Sequence, residues 1–171
     1  DAVTTGSHNV GIGKDAGGAT TTANENTAVG HNAFAVNTTG ANNVAIGSSA
    51  LDANTTASSN TAVGTSALGA NTTGASSTAV GSNALAAQTT EGFNTVVGAE
   101  AGIANTSGSG LVAMGYQALD ANTTGDSNTG IGYQALGANT TASNNTAVGY
   151  YSLLTNTTGA SNTAVGRYSM R

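Results

Sequence analysis

The chain has 171 residues and a net charge of −5, with charged side chains at 6% and aromatics at 4%, and it contains no Pro, Cys or Trp. Its three basic residues, Lys14, Arg167 and Arg171, are too few for the clustered phosphate neutralisation of a nucleic-acid binder or for a polybasic lipid patch. No run reaches the roughly 18 apolar residues of a membrane span, and the lack of Cys removes disulfides and thiolate metal sites while permitting an extracellular location.

Glycine recurs every 17 residues, at Gly13, Gly30, Gly47, Gly64, Gly81, Gly98, Gly115, Gly132, Gly149 and Gly166. A short fixed period means a solenoid or array. With Asn as position 1, the unit reads N-T-A-V-G-x-x-A-L-x-A-N-T-T-G-x-x. Position 2 is β-branched in every copy, from Val10 to Thr163, and position 4 is Val, Ile or Met, from Ile12 to Val165. β-Branched residues at i and i+2 predict a strand. The invariant glycine at position 5 ends it as a structural turn with φ > 0.

A second strand is expected over positions 8 to 14. Position 9 is Leu51, Leu68, Leu85, Leu119, Leu136 and Leu153, with Phe34 and Met170 as variants, and position 13 is Thr from Thr4 to Thr157. Strand alternation places positions 9, 11 and 13 on one face and 8, 12 and 14 on the other. The expected core is then Val at 4, Leu at 9 and Ala at 11. Helix is the competing reading, but Gly, Asn and Thr at fixed spacing would break it after about two turns. The fold class expected is all-β, a parallel β-solenoid or β-roll of about ten coils, forming a single repeat domain over 1–171 that is a fragment of a longer fibre protein. At about 4.7–4.9 Å per strand the rod is on the order of 47 Å long. Two Asn columns, position 1 (Asn9 to Asn162) and position 12 (Asn37 to Asn156, with Gln88 as a substitute), form stacked amide ladders. Small apolar columns at positions 3 and 8, such as Ala28, Ala45, Ala33 and Ala50, fall on outer faces and suggest the contact of a parallel homotrimer.

The segments NVAIG (43–47), NTAVG (26–30, 145–149, 162–166) and NTGIG (128–132) resemble the head repeats of trimeric autotransporter adhesins, the YadA-like head. The longer unit NTGIGYQALGANTTASN (128–144) is similar to repeats of bacteriophage tail fibres and other bacterial surface fibres. The resemblance implies a left-handed parallel β-roll that associates as a trimer, outside the cell on a virion or bacterial surface. The adhesin head unit is shorter, so strand and turn lengths differ here.

No enzyme is expected. His8 and His31 occupy different positions of different copies, and the acids Asp1, Asp15, Glu25, Asp52, Glu91, Glu100, Asp120 and Asp126 are scattered through the unit. A calcium-binding β-roll would repeat its Asp in every copy. GIGKDAGG (11–18) imitates a phosphate loop but lacks the full P-loop pattern. No cofactor and no metal site follow. The candidate contact for a host-surface glycan or receptor is Tyr116, Tyr133 and Tyr150 at position 6 with Tyr151 and Tyr168 at position 7, on one turn edge of adjacent coils, beside Gln117 and Gln134. Aromatics with polar neighbours favour recognition; a stacked ladder that stiffens the rod is the alternative. Copy 6 is irregular, with Gly102 in the Leu column, and Leu111 replaces Asn at the start of copy 7; a bend, a compensated core and a contact point all fit. Seven Asn-Thr-Thr or Asn-Thr-Ser stretches, including those at Asn37, Asn54, Asn71 and Asn105, match the glycosylation sequon, and the repeat itself explains them.

Expected function is a rigid fibre or adhesin segment whose partners are copies of itself and a host glycan or receptor. The rivals are an ice-binding solenoid, with an outward N-x-T pair at positions 12 and 14, and a self-assembling extracellular filament.

Overall fold

A computed structural model describes residues 5–171; Asp1 and Thr4 lie outside the described residues. Each copy contributes one three-residue strand: β1 (Val10–Ile12), β2 (Thr27–Val29), β3 (Val44–Ile46), β4 (Thr61–Val63), β5 (Thr78–Val80), β6 (Thr95–Val97), β7 (Val112–Met114), β8 (Thr129–Ile131), β9 (Thr146–Val148) and β10 (Thr163–Val165). All ten lie in one parallel sheet in sequence order. The register never slips: Val10 faces Thr27, Thr61 faces Thr78, and Thr163 faces Thr146. The protein is a parallel β-solenoid with one coil per 17-residue copy.

The expected second strand is absent. Positions 6 to 11 form turns and positions 13 and 14 bend, because the residues at positions 7 and 9 take left-handed backbone angles: Ser49 has φ 55°, Leu51 φ 50°, Ser66 φ 54° and Leu68 φ 51°. A left-handed residue curls the chain, so strict side-chain alternation is lost. Ala50 and Leu51, neighbours in sequence, are both fully buried. The curled segment is nevertheless tied along the rod axis. Leu51 N–H donates to Ala67 O at 3.1 Å, Ala53 N–H to Gly69 O at 3.1 Å, and Ser49 N–H to His31 O at 2.9 Å. Full burial of a leucine is worth about 1.5–3 kcal/mol, enough to offset its unfavourable φ.

The core is therefore turned over relative to expectation. Ala at positions 3 and 8 and Leu at 9 fill the interior, as Ala62, Ala67 and Leu68 do in one coil. Position 4 points outward: among the inner copies Ile46 is 39% exposed and Met114 45%, and the rest are half-buried. Position 11 is mostly half-buried rather than core. The alanine columns face the chain's own interior, so they are not free to line a contact between copies. A thin coil has room for one large side chain per layer, and the curl supplies it. Copy 6 makes the point by exception. With Gly102 in the Leu column, the strand inserts Val96 where the other copies have Ala or Gly; a Cβ on Gly102 would lie 3.1 Å from Leu85 Cδ2 and 3.9 Å from Val96 Cγ1. The core is compensated there. In copy 1, Gly11 and Gly17 occupy the same two columns without a larger replacement, and a cavity of about 170 Å³ opens above Phe34 and Ala28.

The position-5 glycines have φ between 125° at Gly13 and 146° at Gly98, as expected. They are also needed for close stacking. A Cβ on Gly64 would collide with Gly81 O of the next coil.

Both Asn columns are buried ladders. At position 1, Asn43 N–H donates to Asn26 Oδ1 and Asn60 N–H to Asn43 Oδ1, each at 2.9 Å. At position 12, Asn54 Nδ2 donates to Asn37 Oδ1 at 3.0 Å. The two columns meet at the position-15 carbonyls: Gly40 O accepts from Asn26 Nδ2 and from Asn37 Nδ2, both at 3.0 Å. Position 12 thus lies inside, and the expected outward N-x-T pair is not formed. Asn37, Asn54, Asn71 and Asn105 are 0% exposed, which closes these sequons to an oligosaccharyl transferase in the folded chain. Copy 5 carries a paired exchange. Ser77 replaces the position-1 Asn and Gln88 the position-12 Asn, and the longer Gln reaches across: Gln88 Nε2 donates to Ser77 Oγ at 3.4 Å, and Asn94 Nδ2 donates to Gln88 Oε1 at 2.7 Å. Asn71 Oδ1, which loses the next rung to this diversion, is left without a partner, as is Asn145 Nδ2.

Candidate functional site

Positions 6 and 7 leave the glycine turn on one edge of the rod. Backbone hydrogen bonds hold them in axial register: Gln134 N–H donates to Tyr116 O at 3.0 Å, Tyr151 N–H to Tyr133 O at 3.0 Å, and Tyr168 N–H to Tyr150 O at 2.9 Å. The structure brings the five candidate tyrosines together as one continuous ladder. Tyr116 and Tyr133 stack with ring centroids 5.4 Å apart, and Tyr133 and Tyr150 at 5.2 Å. Tyr151 and Tyr168 form a second stack at 5.6 Å. The stacks meet edge-on at Tyr150–Tyr151, 4.4 Å apart. Tyr116, Tyr133, Tyr150 and Tyr168 remain 37–44% exposed. Stacked and edge-on pairs are the favoured aromatic geometries, each worth about 0.5–1.5 kcal/mol beyond burial.

The amides beside the ladder are also stacked. Gln134 Nε2 donates to Gln117 Oε1 at 2.6 Å, and Gln117 Nε2 to Glu100 Oε2 at 2.8 Å. Asp120 stands near this end; desolvation, aided by the Glu100 charge, holds its carboxyl above the ordinary value of 3.8, against backbone hydrogen bonds that lower it. The other end is basic, a feature that the aromatic pattern alone did not signal. Arg167 lies 4.7 Å from the Tyr168 ring centroid and 5.5 Å from that of Tyr150. Arg171 lies 5.0 Å from Tyr168 and 5.8 Å from Tyr151. The signal was present in the register: Arg167 follows an invariant glycine, at the same position as three of the tyrosines. Tyr150 has its phenol raised above the ordinary range, foremost by desolvation and then by the Tyr151 hydrogen bond and the Tyr151 and Tyr168 charges, with Arg167 opposing. It is a neutral donor at physiological pH and not a base.

Other polar residues do not converge. His8 and His31 are exposed at different positions of their coils, and among the described residues no group of three or more His, Asp or Glu gathers as metal ligands would. No helix of the described residues is long and apolar enough to cross a membrane. Phe93, which the sequence reading passed over, is 74% exposed with φ 62° at a position otherwise held mainly by Ser, Asn and Gly. An exposed aromatic in a left-handed conformation is the available signal for it.

The chain therefore belongs to the β-solenoid repeat architecture, with an aromatic-cationic edge. No protein-family model, no curated protein and no solved structure matches it.

Proposed function

We propose that the chain is a rigid segment of an extracellular fibre or adhesin, on a virion or a bacterial surface, that holds binding contacts away from their anchor. The observation that carries this reading is the unbroken axial hydrogen-bonding of ten strands in one register. A rod built this way bends only by breaking several bonds per coil at once. Copies associate side by side as a homotrimer through the outward position-4 column, which is apolar in every coil and uncharged along its length, from Ile12 to Val165. Exposed apolar stripes of this kind mark interaction surfaces. Mass photometry at micromolar concentration should give three times the chain mass, and Ile46→Lys with Ile131→Lys should give folded monomer. Wild-type protein that stays monomeric while fully folded contradicts the trimer. The tyrosine edge contacts the host surface: replacing Tyr116, Tyr133 and Tyr150 by Ser should weaken binding with an unchanged circular dichroism spectrum.

Ice binding is the second reading, favoured by the exposed position-14 column, in which Thr39, Thr56 and Thr73, and again Thr124 and Thr141, are one coil apart along the rod. Clear thermal hysteresis at sub-millimolar protein would select it.

A further inference from the structure

The basic end of the tyrosine ladder has the chemistry of an anion site. Two of the chain's three cations stand there, in a protein with net charge −5. Neither is neutralised by a carboxylate side chain: among the described residues the one ion pair is Lys14 with Asp15, at 3.4 Å. The acids of this edge, Glu100 and Asp120, lie towards the opposite end, beside Gln117 and the start of the ladder. Tyr168 is flanked by both guanidinium groups, at 4.7 and 5.0 Å from its ring centroid. Stacking on a ring fixes the plane of an arginine; one Arg167 N–H group donates to the Tyr168 hydroxyl at 3.5 Å, and the remaining edge N–H groups point away from the ring system as donors.

The rings themselves limit what is recognised. Tyr133 is sandwiched between Tyr116 and Tyr150, and Tyr151 stacks on Tyr168. The faces of Tyr133, Tyr150, Tyr151 and Tyr168 are largely covered by neighbouring rings or guanidinium groups and Tyr116 alone of the five keeps one face unstacked, so a neutral sugar has little open face to lie on. What remains exposed is ring edges, phenol hydroxyls and guanidinium N–H groups. These suit a carboxylate or sulfate, which guanidinium binds through paired, charge-assisted hydrogen bonds.

We propose that Arg167 and Arg171, with Tyr150, Tyr151 and Tyr168, bind an acidic polysaccharide. The inference rests on the adhesive reading above and names its ligand class. A repeating polyanion running along the rod places one acid group at the arginines, and its neighbouring units lie against the hydroxyl edge of the ladder.

The test is binding of the full chain to immobilised polygalacturonate, dextran sulfate and neutral dextran, beside a panel of other neutral glycans. Binding to an acidic polymer and not to dextran is expected, weakening as salt rises. Polygalacturonate alone identifies a carboxylate ligand, and dextran sulfate alone a sulfate ester. Arg167→Ala with Arg171→Ala should lower affinity at least tenfold, the double Lys variant should retain part of it, and Lys14→Ala should leave it unchanged; circular dichroism confirms folding of each. Equal loss in Lys14→Ala, or no loss in the double Ala variant, overturns the site. Binding to neutral glycans only overturns the inference and leaves the adhesive reading standing. Binding to none of the glycans overturns the inference, and the fibre reading is then decided by the oligomer and host-surface tests above.

Discussion

Copies 2 to 4 and copies 5 to 7 solve the same packing problem differently. In the first group each column repeats its residue type: Ala at 3 and 8, Leu or Phe at 9, Asn at 1 and 12. In the second group Ser77 and Gln88, Val96 and Gly102, and Leu111 break those columns, yet the strands stay in register from β5 to β8. Two of the breaks are balanced pairs. A short side chain in one column faces a long one in the other, so interior volume and hydrogen-bonding reach are kept while identities are not. The position-5 glycine, by contrast, is never exchanged, because backbone-to-backbone contact leaves no partner to compensate.

This contrast can be broken first at its invariant point. Gly64→Ala drives a Cβ into Gly81 O at φ 138°, and should cost about 3 kcal/mol or more. Gly69→Ala, whose Cβ meets Ser66 O at 3.3 Å without a left-handed backbone, should change the urea midpoint little. The core pair comes next. Val96→Ala should cost about 2–3 kcal/mol by opening a void beside Gly102, and Gly102→Leu alone should be destabilising by overpacking. The double variant restores the consensus layer and should be more stable than either single change. A smaller effect is expected in the polar pair. Ser77→Asn and Gln88→Asn should each cost about 1 kcal/mol by mismatching the ladders, and the double variant should recover most of it. Strictly additive costs in either cycle would show that the pairs do not compensate. The smallest effect concerns Asp120. Its pKa is raised on folding, so the folded state holds the proton more firmly, and stability falls as pH rises from 3.8 through the raised value. Asp120→Asn should therefore be stabilising by a few tenths of a kcal/mol at pH 7 and neutral in acid, by urea denaturation at both pH values.

The period, the strand at positions 2 to 4, the glycine turn and both Asn ladders were legible because each rests on local chemistry repeated ten times. The bend side was not. Ala-Leu-x-Ala-Asn reads as alternating strand unless one knows that Leu51 and its equivalents adopt left-handed angles, which that residue type disfavours and only tertiary burial supports. That curl moves the Ala column at position 8 inward; on the strand itself the inner face is the small residue at position 3 and the outer face the bulkier position 4, the reverse of what side-chain size suggests. The tyrosine edge was legible because register alone places Tyr116, Tyr133 and Tyr150 one coil apart. Ring orientation and the arginine stacking, which decide what that edge can bind, depend on side-chain geometry that spacing does not encode.

The coils pile directly on one another, and the absence of Cys lets that be measured with clean site-directed labels. Nitroxides at Thr39→Cys and Thr124→Cys, five coils apart, should give a narrow distance near 24 Å by pulsed electron paramagnetic resonance in spin-diluted samples, at about 4.8 Å per coil. Moving the second label to Thr141→Cys should lengthen it by one further coil spacing, about 5 Å. A broad distribution, or a distance that does not grow when the label moves by one period, would contradict the stacked solenoid.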